Sequence, residues 1–381
     1  MRSLGIAASV CGLLFAVATS AADLPKSTQA MLRQLKLDPG IMRGIDEELT
    51  VPQDWLDGAR REGTVKILGS WDTQQFATMV APFKERFPFL RLDYARGDFD
   101  ARALNPIIAL EQGRYIADVI TGFGGSDSHY RAADALEDLR ILPGFKNPIP
   151  DTSDPDGRWV AARVRYWCMS YNTNLVRQED LPRKWDDILT NPVWHNRNIG
   201  IGSRPQLWLL MLEHEYGEQW VRDYMERLFS VVKPQVRKEG VNALLSLTVA
   251  GEFHASIPAA DYRTKQYEDK GAPIRWHCPE PVPRAASQMG ILKGNPHPNA
   301  AHLWVNWFLS KEGQIAQFKG DLASPAHRDL QISAFLPYPD QINGHKIAGR
   351  LPDSTDVLEK LNADWTRYWL SAGGAPVKDE P

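Results

Sequence analysis

A glycine- and serine-containing loop in the first third of the chain carries the first residues that could perform chemistry. In ADVITGFGGSDSHYRAADALEDL, a strand-like run leads into Gly124, Gly125 and Ser126, and a helix-like run follows. A serine hydrolase needs Gly-x-Ser-x-Gly at such a turn, because the two glycines let the strained backbone pack while the serine protrudes. The closing glycine is absent here, since Ser128 occupies its position. A serine hydrolase using Ser126 is therefore the alternative class, and we predict no catalytic residue.

The same loop suits the binding of an anion better than it suits catalysis. Gly122-Phe-Gly124 lacks the third glycine of a dinucleotide-binding loop. A strand that ends in a glycine-rich loop and opens a helix points backbone N–H groups and the helix dipole toward a ligand, which favours negative charge. We expect Gly124, Gly125 and Ser126 to contact a ligand, with Ser126 as a hydrogen-bond donor. The alternative is a turn whose glycines only let the chain reverse.

A second segment, GIGSRPQLW, also places a polar loop between a strand-like run and a helix-like stretch, and it adds a positively charged arginine. Ser203 and Arg204 follow a short apolar run and precede a helix-like stretch. A guanidinium matches a carboxylate or a phosphate through paired hydrogen bonds, so Arg204 is the first candidate for an anion contact. The alternative is a solvated arginine at the start of a helix.

The elements that must position these loops alternate between strand and helix patterns. TVKILGSW is a short buried-strand pattern, the apolar stripe over residues 72–87 predicts one helix, and LRLDYARG and ADVITGFG add strands. Such alternation predicts an α/β fold with a parallel sheet covered by helices. A second set of strands and helices follows residue 160, and it includes one long helix over about 205–229.

Ligands of such sheets lie beyond the carboxyl ends of the strands. This rule adds Ser70, Trp71, Asp72 and Arg96 to the predicted ligand-binding residues, because each follows or ends a predicted strand. Trp71 with Asp72 would suit a sugar ring or a cation by stacking. The alternative for Trp71 is a place in the core.

Composition excludes several classes of function. The 381 residues have a formal net charge of −3, which provides no basic field for nucleic acid or for an anionic membrane surface. The nine histidines show no paired zinc-ligand spacing.

Arg2, an apolar stretch and small residues near Ala22 form an export signal, predicted over residues 1–22. Cys168 and Cys278 would then meet an oxidising compartment, as a disulfide or as two buried thiols.

Four segments of the sequence resemble segments of a known protein family. In order along the chain, YNTNLV, WDDILTNPVW, TVAGEFHASI and KGNPHPNAAHLWVNWFLSKEGQ resemble the bacterial extracellular solute-binding proteins of ABC transporters, in the branch that includes ferric-iron, hexose-phosphate, aminoethylphosphonate and polyamine binders. The resemblance spans about residues 64–325 and depends on the order and spacing of the pieces.

The resemblance implies a two-lobed type II periplasmic-binding-protein fold, in which each lobe is a mixed sheet flanked by helices and two hinge strands join the lobes. It divides the chain into the signal peptide, an N-terminal extension at 23–62, lobe one at 64–168 and 279–330, lobe two at 169–278, and a C-terminal tail with a helix at 331–381. Cys168 and Cys278 would lie on neighbouring hinge strands.

The iron-binding members of this family typically offer consecutive tyrosines from lobe two. The matching neighbourhood, PAADYRTKQY, has Asp261-Tyr262, so only Tyr262 carries over. Asp261, Tyr267, His129 or Glu280 could complete a metal shell if iron is bound, and Glu280 is also a predicted ligand-binding residue. No cofactor is expected, and ferric iron enters only as an alternative ligand.

These features together predict a periplasmic substrate-binding protein. It would capture a small anionic ligand in a cleft between the lobes and deliver it to an ABC permease, as a monomer and without enzymatic activity. A sensory receptor remains open as an alternative to transport.

Overall fold

The computed structural model describes residues 24–124, 126–238, 240–349 and 355–375, apart from the side chains of residues 99, 100, 355 and 356. The predicted signal peptide and Gly125 lie outside these ranges. Within them, no helix combines the length and the apolar character that crossing a membrane requires.

The first half of the sheet begins with alternating strands and helices, which confirms the predicted α/β class. Its strands β1 (Thr64–Gly69), β2 (Arg91–Arg96) and β3 (Val119–Thr121) are parallel, with β1 between the other two. The intervening helices are α4 (Thr73–Met79), α5 (Ala81–Arg86), α6 (Phe99–Ala103) and α7 (Asn105–Glu111), and α8 (Asp127–Ala132) follows β3. The labels α1 to α3 belong to the N-terminal extension: α1 (Lys26–Gln34), α2 (Ile45–Leu49) and α3 (Gln53–Glu62).

A long strand, β4 (Val160–Asn172), carries the chain into the second half of the sheet. There β5 (Ile199–Gly202) lies between β6 (Gln235–Arg237) and β7 (Ala255–Ala260), and all three are parallel. The helices are α9 (Trp185–Thr190), α10 (Leu209–Tyr216), α11 (Glu218–Arg227), α12 (Val241–Ala250) and α13 (Asp261–Glu268). The strand β8 (Ile274–His277) pairs with the end of β4.

The chain then returns to the first half through β9 (Val282–Ile291), followed by α14 (Pro298–Phe308), α15 (Lys311–Asp321), β10 (Ile347–Gly349) and α16 (Thr355–Ser371). The strand β9 is antiparallel to both β3 and the first part of β4. The later part of β4 pairs with β7 and β8. We name the half containing β1, β2, β3 and β9 lobe one, and the half containing β5 to β8 lobe two.

A disulfide ties the crossing segments together. Cys168 lies in β4 and Cys278 directly follows β8, and the two are bonded across a separation of 110 residues. Of the two alternatives that the sequence left open, the structure therefore has the bridge rather than free thiols.

The N-terminal extension belongs to the core of lobe one. Met31 and Ile45 are buried in the same cluster as Trp304 and Phe308 of α14. Thr28 donates a 2.5 Å hydrogen bond to Oε1 of Glu312, a fully buried carboxylate. Glu312 also accepts two hydrogen bonds from the Arg86 guanidinium, at 2.6 and 3.0 Å, and one from the Trp307 indole at 2.8 Å. Apolar contacts and this shared buried charge anchor the extension.

The C-terminal helix α16 belongs to the core of lobe two. Its Trp365 lies edge-on to Trp208, with ring centres 6.5 Å apart, and 5.2 Å from the Phe229 ring. Lys360 forms a 2.6 Å ion pair with Glu218 on α11. The tail therefore packs onto lobe two through aromatic contacts and a surface ion pair.

Two predicted helices are each divided in the structure. The expected helix over 72–87 becomes α4 and α5, because Pro82 near the start of α5 cannot donate to the preceding turn. The expected long helix over about 205–229 opens with a short 3₁₀ turn at Pro205–Leu207 and is then broken at Gly217, which has a φ of 86°. In both cases buried apolar residues lie on either side of the break.

Candidate functional site

A cavity of about 250 Å³ lies between the two lobes. The carboxyl ends of β1, β2 and β3 contribute Ser70, Arg96 and Gly124 from lobe one. The turn after β5 contributes Arg204, and the first turn of α13 contributes Tyr262. The cavity therefore occupies the position that parallel α/β sheets favour for ligands, with both lobes contributing walls.

Arginines dominate the polar lining of this cavity. Six of them line it, two from β4 and four from separate parts of the fold: Arg96, Arg102, Arg163, Arg165, Arg204 and Arg263. Asp98 is the one carboxylate residue among the described lining residues. Guanidinium groups bind phosphate and carboxylate in planar, paired geometry, and they are more weakly hydrated than ammonium groups. The lining has the chemistry of an anion-binding site.

Arg102 is held in place by backbone carbonyl groups. Its Nε donates to the carbonyl of Asp98 at 2.9 Å, and its Nη1 donates to the carbonyls of Thr121 and Gly122. Burial, and then the positive charges of Arg165 and Arg204, lower the pKa of Arg102 to about 10. Cations from both lobes are thus close enough to repel one another, and an anion bound among them would relieve that repulsion.

Arg163 lies beneath the cavity and is 2% exposed. It forms an ion pair with the buried Asp321, and its Nη2 donates to Ser70 Oγ at 2.9 Å. Its guanidinium lies 5.1 Å from the Trp71 ring centre and 5.7 Å from that of Tyr262. Burial lowers the pKa of Arg163 to about 9. This arginine positions Ser70 and supplies positive charge to the floor of the cavity.

Tyr262 faces the cavity among three arginines. Burial pushes the pKa of its phenol upward, but the charges of Arg163, Arg165 and Arg263 outweigh burial and bring the pKa below its ordinary value of 10. The arginines therefore favour a strongly polarised O–H group, which is a good hydrogen-bond donor to an anion.

Asp72 connects the two lobes at the rim. Its carboxylate lies 3.4 Å from Nε of Arg96 in lobe one and 3.8 Å from Nη2 of Arg263 in lobe two. The side chain of Asp72 is 39% exposed, so solvent weakens both attractions. Asp72 therefore contacts two of the cavity arginines but does not itself line the cavity.

Asp261 lies behind the cavity at the start of α13. It is fully buried, and its Oδ1 accepts a 3.3 Å hydrogen bond from the backbone N–H of Tyr166. Its Oδ2 has no hydrogen-bond partner. Burial raises the pKa of Asp261 to about 7, although nearby N–H groups and the charge of Arg165 act in the opposite direction.

The structure brings five of the predicted ligand-binding residues to the cavity wall: Ser70, Arg96, Gly124, Arg204 and Tyr262. At Gly124 an added Cβ would lie 2.5 Å from Oε1 of Gln288, so any other residue would require that side chain to move. Gly125 lies outside the described residues.

Besides Asp72, described above, and Ser126, three predicted ligand-binding residues do not line the cavity: Trp71, Ser203 and Glu280. Trp71 is 1% exposed and packs against Phe308, with ring centres 5.5 Å apart, so it belongs to the core. Ser203 lies next to Arg204 but is not part of the wall. Glu280 is exposed elsewhere, where its carboxylate accepts from the Lys346 N–H at 2.8 Å. These predictions applied a rule about loop position, which does not determine side-chain direction.

Ser126 was expected to donate a hydrogen bond to a ligand, but its hydroxyl group points into the loop. It is 3% exposed, and its hydroxyl donates a 2.5 Å hydrogen bond to the carbonyl of Phe123. The hydroxyl proton is therefore committed to the loop itself, neither to a ligand nor to a general base. The helix that follows, α8, is six residues long.

The cavity wall offers little to a metal ion. Tyr262 and Asp98 are the anionic oxygen ligands among its described residues, and six arginines surround them. Elsewhere in the described ranges, ligand atoms of Glu48, His327 and Asp329 lie within 4.8 Å of one another. The Lys311 ammonium already contacts this cluster, 3.2 Å from Glu48 and 3.5 Å from Asp329. Neither place has the dense set of oxygen ligands that ferric iron requires.

Sequence reasoning missed four of the cavity arginines: Arg102, Arg163, Arg165 and Arg263. A signal was present for two of them. Arg163 and Arg165 interrupt a strand pattern, VAARVRYWCM, that is otherwise apolar, and arginine is rarely buried without a partner or a function. Arg102 and Arg263 lie on helices and have no comparable signal.

Comparisons with known proteins identify a matching family and several solved structures with a similar fold. Residues 138–342, more than half of the chain, match the family described as bacterial extracellular solute-binding protein. Iron-bound HitA from Pseudomonas aeruginosa is 18% identical, with a TM-score of 0.64 over 79% of this chain and 99% of that chain. AfuA from Actinobacillus pleuropneumoniae, with fructose-6-phosphate bound, has the same identity and TM-score over 81% and 98%. The Trichodesmium protein IdiA (FutA), in complex with iron and citrate ligands, is 18% identical with a TM-score of 0.65 over 82% and 100%.

These similar structures confirm the predicted two-lobed type II periplasmic-binding-protein fold. The family match confirms the predicted resemblance and the general role of solute capture. The chain belongs to the bacterial extracellular solute-binding protein family.

Proposed function

We propose that this protein captures a small organic anion, bearing a phosphate or a carboxylate group, in the cavity between its lobes. The convergence of six arginines from both lobes carries the proposal. Arg102 and Arg204 are close enough for their charges to interact. A bound anion would neutralise this repulsion while it accepts paired hydrogen bonds, so its affinity gains from both effects.

The cavity volume of about 250 Å³ lies just below the range typical of small-molecule pockets, which suits a small organic ligand. The fructose-6-phosphate complex of AfuA supports this ligand chemistry by analogy, whereas the iron complex of HitA supports the alternative of ferric iron. The donor set favours the organic anion, because six guanidinium groups repel a trivalent cation.

Delivery of the ligand to an ABC permease, from a monomer in the periplasm, is the transport role that we propose. The export signal at residues 1–22 and the extracellular family support it. No bond is made or broken in this role, and the internal hydrogen bond of Ser126 argues against hydrolysis. Deletion of the gene would abolish uptake of the ligand, whereas a sensory role would leave uptake intact.

Native mass spectrometry of the mature protein, purified without chelators, tests the ligand class. We expect a mass excess that matches a phosphate- or carboxylate-bearing compound. Arg204→Ala should lose that excess, and Arg177→Ala, which removes an exposed arginine outside the cavity, should keep it. A mass excess matching iron without an organic anion would contradict the proposal.

A further inference from the structure

One side of the cavity is apolar, in contrast to the arginines. The short turn Pro205–Leu207, α10, α12 and α16 provide its carbon side chains: Leu207, Leu210, Met211, Val241 and Leu358. Ala285 and Ala286 of β9 also line the cavity. A free phosphate ion would contact only the cationic side chains and would leave this apolar surface in contact with water, which is unfavourable.

The C-terminal helix, which packs onto lobe two, supplies part of that wall. Leu358 of α16 is 8% exposed and lines the cavity. The helix is held there by the contact of Trp365 with Trp208, one residue after Leu207. Leu361, on the same helix, is buried in the core of lobe two but does not line the cavity. The helix thus presents one leucine to the cavity and another to the core.

Polar groups limit the length of apolar chain that the cavity accepts. Gln206 and Asn242 also line it, and Oε1 of Gln206 is buried without a hydrogen-bond partner. These two polar side chains interrupt the apolar lining, so the continuous apolar surface suits only a short carbon chain.

We infer that the ligand carries a short apolar segment beside its anionic group, and that Leu358 of the C-terminal helix contacts this segment. The inference rests on the proposed anion-binding function and narrows it to small amphiphilic anions. It also assigns the C-terminal helix a part in ligand selection.

Isothermal titration calorimetry with two matched pairs of probes tests the inference: methyl phosphate against butyl phosphate, and acetate against pentanoate. Each pair differs by three methylene groups, and each buried methylene strengthens binding by roughly fourfold. In whichever pair binds, we expect the longer probe to bind at least tenfold more tightly. Equal or weaker binding of the longer probe overturns the inference and leaves the proposed function standing. Failure of all four probes to bind contradicts the proposed function itself.

Leu358→Ala should reduce the preference for the longer probe to under about threefold while the affinity for the shorter probe changes little. Leu361→Ala is the matched control, and it should lower thermal stability but preserve the preference. If Leu358→Ala does not fold, Val241→Thr, a nearly isosteric change at the same wall, should also reduce the preference. An unchanged preference in the folded Leu358 or Val241 variant overturns the assignment of this wall.

Discussion

The buried carboxyl group of Asp261 makes the stability of this protein depend on pH, and Asp261→Asn should remove that dependence. Burial raises the pKa of Asp261 from 3.8 to about 7 in the folded protein. Between these values the folded state holds a proton that the unfolded state has released. The free energy of unfolding must therefore fall as the pH rises from about 4 to about 7.

The structure allows the size of this effect to be worked out. The gap between 3.8 and about 7 is roughly three pKa units, which corresponds to about 4 kcal/mol. This value is an upper limit, because the neighbouring N–H groups and Arg165 can stabilise the ionised form further after small movements. In Asp261→Asn the amide oxygen keeps the hydrogen bond from Tyr166, and no charge has to be buried at any pH.

Urea unfolding followed by tryptophan fluorescence at pH 5, 6, 7 and 8 measures the difference. We expect the variant to gain up to about 3 kcal/mol over the unmodified protein as the pH rises from 5 to 8, because part of the full effect is already present at pH 5. Asp269→Asn, an exposed substitution at the end of the same helix, is the control and should change stability by less than about 0.5 kcal/mol at every pH. A difference between Asp261→Asn and the unmodified protein that stays constant with pH would refute the reasoning.

Three further predictions concern the anchors of the fold and the contact between lobes. Glu312→Ala leaves Arg86 without its partner in a buried network and should cost roughly 3–5 kcal/mol, measured by urea unfolding; a loss under 1 kcal/mol would contradict the role of this network. Replacing Cys168 and Cys278 by alanine should cost about 4–5 kcal/mol through the greater entropy of the unfolded chain, and a reducing agent should then have no further effect on stability. Asp72→Asn should weaken binding of the ligand by up to about fivefold in calorimetry, because the attraction between lobes at the rim is solvent-exposed; unchanged affinity would show that this contact does not assist closure.

The residues that could be predicted from the sequence are those whose position follows from one strand and one loop. Ser70, Arg96, Gly124 and Arg204 each end or follow a strand, so the rule for parallel sheets located them without knowledge of the tertiary structure. The fold class followed from the same local alternation of strands and helices.

The direction of a side chain depends on contacts that no local pattern contains. Ser126 satisfies the rule for loop position, yet its hydroxyl turns inward to Phe123. Arg163 and Arg165 reach the cavity from a strand that pairs with β9 and β7 at different points along its length. Their proximity to Arg204 and Arg263 depends on how the two lobes face each other, which the sequence alone does not specify.

The meeting of arginines from both lobes has a consequence for the unliganded protein. Arg102 belongs to lobe one, Arg165 to the crossing strand and Arg204 to lobe two, so any rotation that closes the cleft brings like charges together. Without an anion, that repulsion would oppose closure of the lobes. In the function that we propose, the anion would supply the counter-charge for closure, and a closed form would then report that the cavity is occupied.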